Sequence, residues 1–574
     1  MLSSYLTKNT DQRNHWLTDL ISLSVVLLVF YTLWLGSYAL FTPDEGRYSE
    51  VAREMVASGD YITPRLNGVA FLDKPPLYYW LQAFAIHIAG IQEGVLRFFP
   101  ALLGMIGCLA TYVSGRLLFN RRTAWLSAMI LATSPLYFGG AHYANLDLEV
   151  AVFISCSLLA FLCALQTHKP LSGYLLFNAY LFASLAALTK GLIGVAFPML
   201  IIGSWIILLW RWDMVKKMRP ILGMLFFFLL TVPWYAKVQQ ANPEFLHFFF
   251  VTQQVTRFLS AADFNSKTPG WFYFPIVALG FFPWTAFFIA AISKHIKALW
   301  QSRQNHATEL FLLLWVIIIF TFFSIPRSKT IGYILPILPP LALLTGSYLS
   351  ACWEHAKQKG VYLSTLLAAV ICSISAYLLF QAPHHAWIDI PAGLTPYLIL
   401  SALIFAMAAV LLVYSLKKET LFFVFSAMTL CNVLFLLTLI SSAPYLNQNS
   451  IKPLALSLKK SLGPDTEVIT FYKYYHDLPL YLEKRITIVA DWDAEDIVEN
   501  DNWVRELWYG MPFQDTRAWL IKENTFWQRW NSRRRVFTVL SDNYFDEFKA
   551  KAKKFYIVQR YKDFLWVSNR PMTS

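Results

Sequence analysis

Charge is what this chain has least of. Only 14% of its 574 residues are Asp, Glu, Lys or Arg, whereas 57% are hydrophobic and 17% aromatic. A soluble globular chain carries about 25% charged residues. So little charge cannot coat a soluble surface of this size, and lipid must be the solvent for much of the chain. Cysteine is also sparse. Cys108, Cys156, Cys163, Cys352, Cys372 and Cys431 lie inside apolar runs, with no Cys-x-x-Cys spacing and no Cys/His pair. That pattern excludes a disulfide framework or a cysteine zinc site and leaves small core residues. No internal repeat or low-complexity tract is present. The stretch Met1 to Trp16 is polar and precedes a long apolar run without a small-residue cleavage pattern. That run is expected to be an uncleaved first span rather than a signal peptide.

What is abundant is long apolar sequence. A spanning helix needs about 20 mostly apolar residues. Such runs fall near 18–41, 97–115, 123–140, 148–167, 171–188, 192–210, 220–236, 271–293, 308–324, 331–350, 361–381, 394–415 and 420–441. The expectation is a polytopic α-helical membrane protein with about thirteen transmembrane helices. Charge tests this independently of hydropathy. With the N-terminus in the cytoplasm, the inside loops carry Lys8 and Arg13; Arg116, Arg121 and Arg122; Lys169; and Arg211, Lys216, Lys217 and Arg219. The later ones carry Lys294, Lys297 and Arg303; Lys357 and Lys359; and Lys417 and Lys418. The short outside loops at 141–147 and 382–393 carry neither Lys nor Arg. This is the positive-inside pattern. It accounts for the net charge of +13 without a nucleic-acid partner.

Two outside loops are long, 42–96 and 237–270. The first holds an expected helix, Glu45–Ser58, whose polar and apolar faces suit the membrane surface. It also holds an apolar stretch, Pro75–Ile88, too short to span. From about 445 the composition changes. Short β-rich runs (Glu467–Tyr472, Arg485–Val489, Arg535–Leu540, Phe555–Gln559, Leu565–Ser568) alternate with polar helical runs such as Asp542–Lys553. The chain is therefore expected to divide into a membrane module, 1–444, and a soluble α/β domain, 445–574.

Ionisable residues near a membrane face are costly, so each needs a reason. Asp44 follows the first span in Thr42-Pro43-Asp44-Glu45-Gly46-Arg47-Tyr48. Asp73 and Lys74 precede Pro75-Pro76, and Asp147 and Glu149 open the fourth span. Lys190 ends the fifth, Arg257 lies in the second long loop, and Arg327 and Lys329 join the ninth and tenth. The charge-derived topology puts all of them on the outer side. Carboxylates and fixed cations gathered there suit sugar transfer from a lipid phosphate. The cations stabilise the departing phosphate, and a carboxylate takes the proton from the attacking hydroxyl. Another carboxylate either holds a metal ion or orients the cations.

At these residues the sequence resembles the GT-C-fold glycosyltransferases, and among them the 4-amino-4-deoxy-L-arabinose lipid A transferases. The resemblance rests on Pro43-Asp44-Glu45-Gly46-Arg47-Tyr48-Ser49-Glu50, then Arg53-Glu54-Met55 and Ser58-Gly59-Asp60. A second string is Asp73-Lys74-Pro75-Pro76 with Tyr79-Trp80. Further matches are Leu146-Asp147, Thr189-Lys190-Gly191, Pro233-Trp234, Arg257-Phe258, and Lys329 with Tyr333-Ile334-Leu335. The resemblance implies a GT-C membrane fold in the bacterial inner membrane. It also implies an inverting transfer from an undecaprenyl-phosphate sugar to lipid A or another envelope glycan on the periplasmic side. It implies that Asp44 and Asp147 are catalytic and that Arg47, Tyr48, Lys74, Arg257 and Tyr333 handle the donor phosphate. Lys190 and Lys329 support them, and Asp73 is the candidate ligand of a divalent metal (zinc, or magnesium or manganese). One departure stands out. Where the family commonly has Glu-His before the Arg-Phe, this chain has Gln253-Gln254, and a neutral amide oxygen is a poor zinc ligand.

Blander readings accompany each residue. Asp44 has the position of a helix N-cap, and Asp73-Lys74 that of a surface ion pair. Asp147 and Glu149 read as solvated loop ends, and Arg327 and Lys329 as residues meeting lipid headgroups. His142 and His247 read as packing or interface histidines, and Trp271, Tyr273 and Trp284 as a membrane-interface belt. Alternative functions are a protein O-glycosyltransferase of the same superfamily, a transporter or flippase of lipid-linked sugars, and a non-catalytic assembly protein. A transporter would place charges near the midplane and show repeated halves. The charges here lie at one face.

Overall fold

The computed structural model describes residues 15–167, 169–256, 268–353, 359–384, 390–418, 421–463, 466–500 and 502–572. Contacts divide the chain into two compact units. One comprises Met1–Tyr38, Arg97–Pro233 and Thr268–Leu446; the other comprises Ala39–Leu96, Trp234–Lys267 and Asn447–Ser574. This differs from the division expected at 444/445, because both long loops group with the C-terminal stretch.

The first unit is helical. Among the described residues nine helices are long and apolar enough to cross a membrane, and the protein is a multi-pass membrane protein. A tenth candidate is the pair Tyr273–Gly280 and Thr285–Gln301, bent by 108° at a break containing Pro283, whose ring and missing N–H end a helix. Three further expected spans are shorter or broken. Trp16–Thr32 and Ile193–Leu209 have 17 residues each. The expected span 123–140 is two helices, Arg121–Ala132 and Pro135–Ala141, parted where Pro135 disfavours the α conformation of Ser134. Small residues allow close helix approach, as membrane packing requires. A Cβ on Gly194 would lie 2.5 Å from the Ala187 nitrogen, so the Ile193–Leu209 helix abuts the backbone of Leu171–Lys190.

The second unit is α/β. Its strands, in chain order, are β1 (Arg65–Leu66), β2 (Val69–Ala70), β3 (Glu467–Phe471), β4 (Thr487–Val489), β5 (Leu520–Ile521), β6 (Val536–Ser541), β7 (Tyr556–Tyr561) and β8 (Phe564–Ser568). β3 to β8 form one sheet in the order β5-β4-β3-β6-β8-β7. β5, β4, β3 and β6 run parallel, and β8 and β7 close one side antiparallel. β3 and β6 are buried along their whole length, as continuous apolar strands covered on both faces must be. Phe471, Phe526, Trp530 and Phe548 lie in the core beside them.

The loop 39–96 joins this unit through specific hydrogen bonds. β1 and β2 form a hairpin with Asn67 and Gly68 at positive φ (51° and 77°), the conformation that an Asn-Gly turn favours. The Asn67 amide donates to the Ile486 carbonyl (3.0 Å), and its oxygen accepts from the Ile486 N–H (2.9 Å). The loop thereby satisfies backbone at the start of β4. The expected helix is present as Asp44–Ser58, but not as a surface helix. Glu45, Ser49, Glu50, Arg53 and Glu54 are buried together with Val51, Ala52 and Met55, because its polar face meets partners within the unit. The short apolar helix is Leu77–Ala89.

Candidate active site

The sequence-derived residues divide between the units: Asp44, Arg47, Tyr48, Asp73 and Lys74 lie in the second, and Asp147, Lys190, Lys329 and Tyr333 in the first. Arg257 and Phe258 lie outside the described residues, as do Lys8, Arg13 and Lys357 in the loops.

Asp44 is the first residue of its helix, and Pro43 occupies the N-cap position without a side-chain cap. Glu45 reaches back and accepts the Phe41 N–H at 2.7 Å, which ties the helix to the residues before it. The Asp44 carboxylate instead meets Arg47, one turn on, in an ion pair. Arg47 also donates to Glu506 at 2.7 Å, and Glu506 lies 3.0 Å from His476 Nε2. The four side chains form a line, Asp44–Arg47–Glu506–His476, whose last two members come from the C-terminal stretch. Gly46 permits it. A Cβ there would lie 2.9 Å from the Asp477 nitrogen and 3.0 Å from the His476 carbonyl carbon, so any larger residue would push His476 away.

Electrostatics fix the charge state of this line. The Glu506 side chain is only 10% exposed, and burial alone would raise its pKa. Arg47 and His476 outweigh burial and hold it down at about 2. Burial also opposes the Arg47 charge, but Glu506, Tyr48 and Asp44 drive its pKa well above the usual guanidinium value. Both terminal nitrogens of Arg47 thus contact carboxylates. Beside the line, Tyr48, Tyr78 and Tyr79 pack with ring centroids 5.9 to 6.2 Å apart. Burial and the nearby Asp73 carboxylate push the Tyr79 phenol well up. Lys74 Nζ donates to the Asp73 carbonyl at 3.1 Å.

The first unit carries a second cluster. Asn145 caps the Leu146–Gln166 helix, its side chain accepting the Asp147 N–H at 2.9 Å. This holds Asp147 in the first turn, where Lys190, the last residue of the Leu171–Lys190 helix, pairs with it. The Lys190 ammonium also sits 4.2 Å from the centre of the Tyr333 ring, a cation–π contact. Gly332 makes room: a Cβ there would overlap the Asp147 carboxylate, 2.3 Å from its oxygen. Glu149 is buried, not a solvated loop end. One oxygen accepts from the Thr189 hydroxyl at 3.1 Å, and Oε2 has no hydrogen-bond partner among the described residues. Lys329 stands apart from these carboxylates, donating to the carbonyls of Thr268 (3.2 Å) and Pro326 (2.5 Å). His142 is a packing residue, with Nδ1 3.0 Å from the Phe138 carbonyl oxygen and its ring against Phe138.

Among the described residues no three His, Cys, Asp or Glu side chains are gathered to hold an ion. Gln253 and Gln254 stand on the π-helix His247–Thr256 and bring no anionic donor. The residues the sequence reading missed are Glu506 and His476. The available signal was one carboxylate inside the aromatic stretch Trp503 to Tyr509, a costly placement that implies a partner.

Comparisons with known proteins bear on the whole chain. Residues 73–237 match the family model described as dolichyl-phosphate-mannose-protein mannosyltransferase. Residues 454–569 match that of the aminoarabinose transferase C-terminal domain. The undecaprenyl phosphate-α-4-amino-4-deoxy-L-arabinose arabinosyl transferase of Aeromonas salmonicida is 31% identical over 372 residues, 64% of this chain and 66% of that protein. The arabinosyl transferase 1 of that description from Sodalis glossinidius is 30% identical over 393 residues, 67% of this chain and 69% of that protein. The crystal structure of ArnT from Cupriavidus metallidurans bound to undecaprenyl phosphate matches with a TM-score of 0.81 at 25% identity. That match covers 97% of this chain and 98% of that one. The resemblance carried by the motifs is borne out at the level of fold and family: the chain belongs to the undecaprenyl phosphate-α-4-amino-4-deoxy-L-arabinose arabinosyl transferase family.

Proposed function

We propose that the chain is an inverting glycosyltransferase that moves 4-amino-4-deoxy-L-arabinose from undecaprenyl phosphate to a glycolipid acceptor, lipid A. We place the reaction on the periplasmic side of the bacterial inner membrane. The observation that carries this reading is the Asp44 carboxylate fixed by Arg47, itself fixed by Glu506. The names of the relatives supply the sugar and the carrier, and the basic residues of the alternate loops support the orientation.

In this mechanism Asp44 is the general base. It takes the proton of the acceptor hydroxyl as that oxygen attacks the anomeric carbon from the face opposite the phosphate. The bond from the anomeric carbon to the phosphate oxygen breaks, and undecaprenyl phosphate departs with the electron pair. Inversion follows from the single displacement. Lys74, Arg257 and Tyr333 handle the departing phosphate, whose growing charge they stabilise in a poorly solvated setting. Arg47 orients Asp44, with Tyr48 packed beside it. Asp147 with Lys190 forms a second polar centre whose carboxylate is fixed by the cation.

The test is transfer of labelled sugar from undecaprenyl phosphate by the purified protein, with lipid A from cells with and without it analysed by mass spectrometry. Asp44→Asn and Asp147→Asn are each expected to lose at least about 100-fold in kcat with helical circular dichroism retained at the assay temperature. Normal turnover in both variants, or identical lipid A from both cell types, would overturn the reading.

A further inference from the structure

Asn432 lies near the middle of the 26-residue helix Leu421–Leu446 and is 3% exposed. A polar side chain at that depth is costly unless it is paired. Both N–H donors of its amide go to main-chain carbonyls, that of Thr133 at 2.5 Å and that of Phe282 at 3.4 Å. Its Oδ1 has no hydrogen-bond partner among the described residues. The residue is held there for its donors.

Both carbonyls belong to broken helices. Thr133 stands at the break between Arg121–Ala132 and Pro135–Ala141, and Phe282 at the break between Tyr273–Gly280 and Thr285–Gln301. A break deprives carbonyls of the donors that a continuous helix would supply, and in a membrane interior no water replaces them. One amide therefore serves two breaks and ties both to a third helix. The fully buried Trp284 adds a further tie between the breaks, its indole N–H donating to the Thr133 hydroxyl at 3.1 Å.

The short helices beside these breaks both lead to the Asp147 centre. They pack on each other, since a Cβ on Gly280 would lie 2.6 Å from the Leu136 Cβ. On Pro135–Ala141, a Cβ at Gly140 would lie 3.5 Å from Leu148, the residue after Asp147, and 3.4 Å from Leu335. On Tyr273–Gly280, the Tyr273 hydroxyl donates to the Thr330 carbonyl at 3.0 Å. Thr330 opens the turn Ile331–Ile337, which brings Gly332 against Asp147 and Tyr333 against Lys190.

We infer that Asn432 is a positioning residue for the Asp147–Lys190–Tyr333 centre, acting through the two short helices. The inference rests on the part given to Asp147 in the transfer reaction. It goes beyond that part by assigning the geometry of the centre to an uncharged residue on a separate helix.

The test compares the full-length parent in detergent with Asn432→Leu and Asn432→Asp. Leucine is close in size and at home in a spanning helix, whereas aspartate keeps the shape and takes away the amide donors. Helical circular dichroism should be retained, and if Asn432→Asp does not fold, Asn432→Leu alone decides. Hydrogen exchange read by mass spectrometry is expected to quicken at least about tenfold in Pro135–Ala141 and Tyr273–Gly280 and to carry into Ile331–Ile337. The helix Lys359–Gln381 should exchange as in the parent. Steady-state transfer is expected to lose about tenfold in kcat, with the donor KM within about threefold of the parent. Parental kcat in the folded variants, or faster exchange confined to the two short helices, overturns the positioning role. Exchange at the parental rate throughout overturns the tie itself. A parent that transfers no sugar overturns the proposed function, and the spread of exchange into Ile331–Ile337 then decides the role of Asn432.

Discussion

Replacing Glu506 by Gln preserves shape but removes the charge that holds Arg47. In the folded protein the Glu506 pKa is depressed from 4.5 to about 2 by Arg47 and His476 against the effect of burial. That shift corresponds to about 3 kcal/mol of favourable interaction, in line with the several kcal/mol lost when one partner of a buried pair is removed. Because the folded pKa is the lower one, the stabilisation is complete above pH 4.5 and is lost as the pH falls toward 2. Glu506→Gln should therefore unfold at lower temperature than the parent at neutral pH, and the gap should close as the pH drops through that window. Turnover should fall further than stability suggests. With one of its two carboxylates neutralised, Arg47 no longer holds Asp44 in place, and a displacement of about 1 Å at a catalytic group costs about 100-fold in rate. Steady-state transfer by the purified variant should show that loss in kcat, with the donor KM changed by less than about threefold. A folded Glu506→Gln protein with kcat within about threefold of the parent would refute the reasoning.

Gly332→Ala places a methyl group where the Asp147 carboxylate sits, so kcat should fall about 100-fold while circular dichroism stays unchanged; parental kcat would refute the placement of Asp147. Glu54 is buried beside Glu50, and its pKa is pushed up from 4.5 to about 8. The folded state therefore holds a proton that the unfolded chain releases, and stability should decline between pH 4.5 and 8. Glu54→Gln should flatten that decline in pH-dependent melting curves, and an unchanged slope would count against it.

The membrane architecture was legible because its signal is local. Twenty apolar residues and a basic loop mean the same thing anywhere in the chain, and all thirteen expected runs correspond to helices or helix pairs. The fold of the C-terminal stretch was legible for the same reason, since β3, β4, β6, β7 and β8 are runs of apolar and β-branched residues. β5 was not, because two residues, Leu520 and Ile521, are too few to show a period. The Asn67-Gly68 turn was visible in principle as a hairpin signal, but two-residue strands on either side give it no alternation. For Glu506 the need of a partner was legible, but the partner was not. Its partner Arg47 is 459 positions away, and no periodicity within one sequence connects residues so distant. For the surface helix expected at Glu45–Ser58, amphipathic composition was read correctly and its cause was not. The polar face is buried against partners such as Gly68, whose N–H donates to both Glu54 oxygens at 2.8 and 2.9 Å.

The grip of Asn67 on Ile486 sets an order of events during biosynthesis. The two residues are 419 positions apart, which at ribosomal speed separates their emergence by roughly half a minute. Through that interval the early hairpin has no strand to dock on, while successive helices are being handed to the bilayer. The second unit therefore gains this contact only after most of the helices have been made, and a fragment beginning at Asn447 would lack the side chain that claims the amide and carbonyl of Ile486.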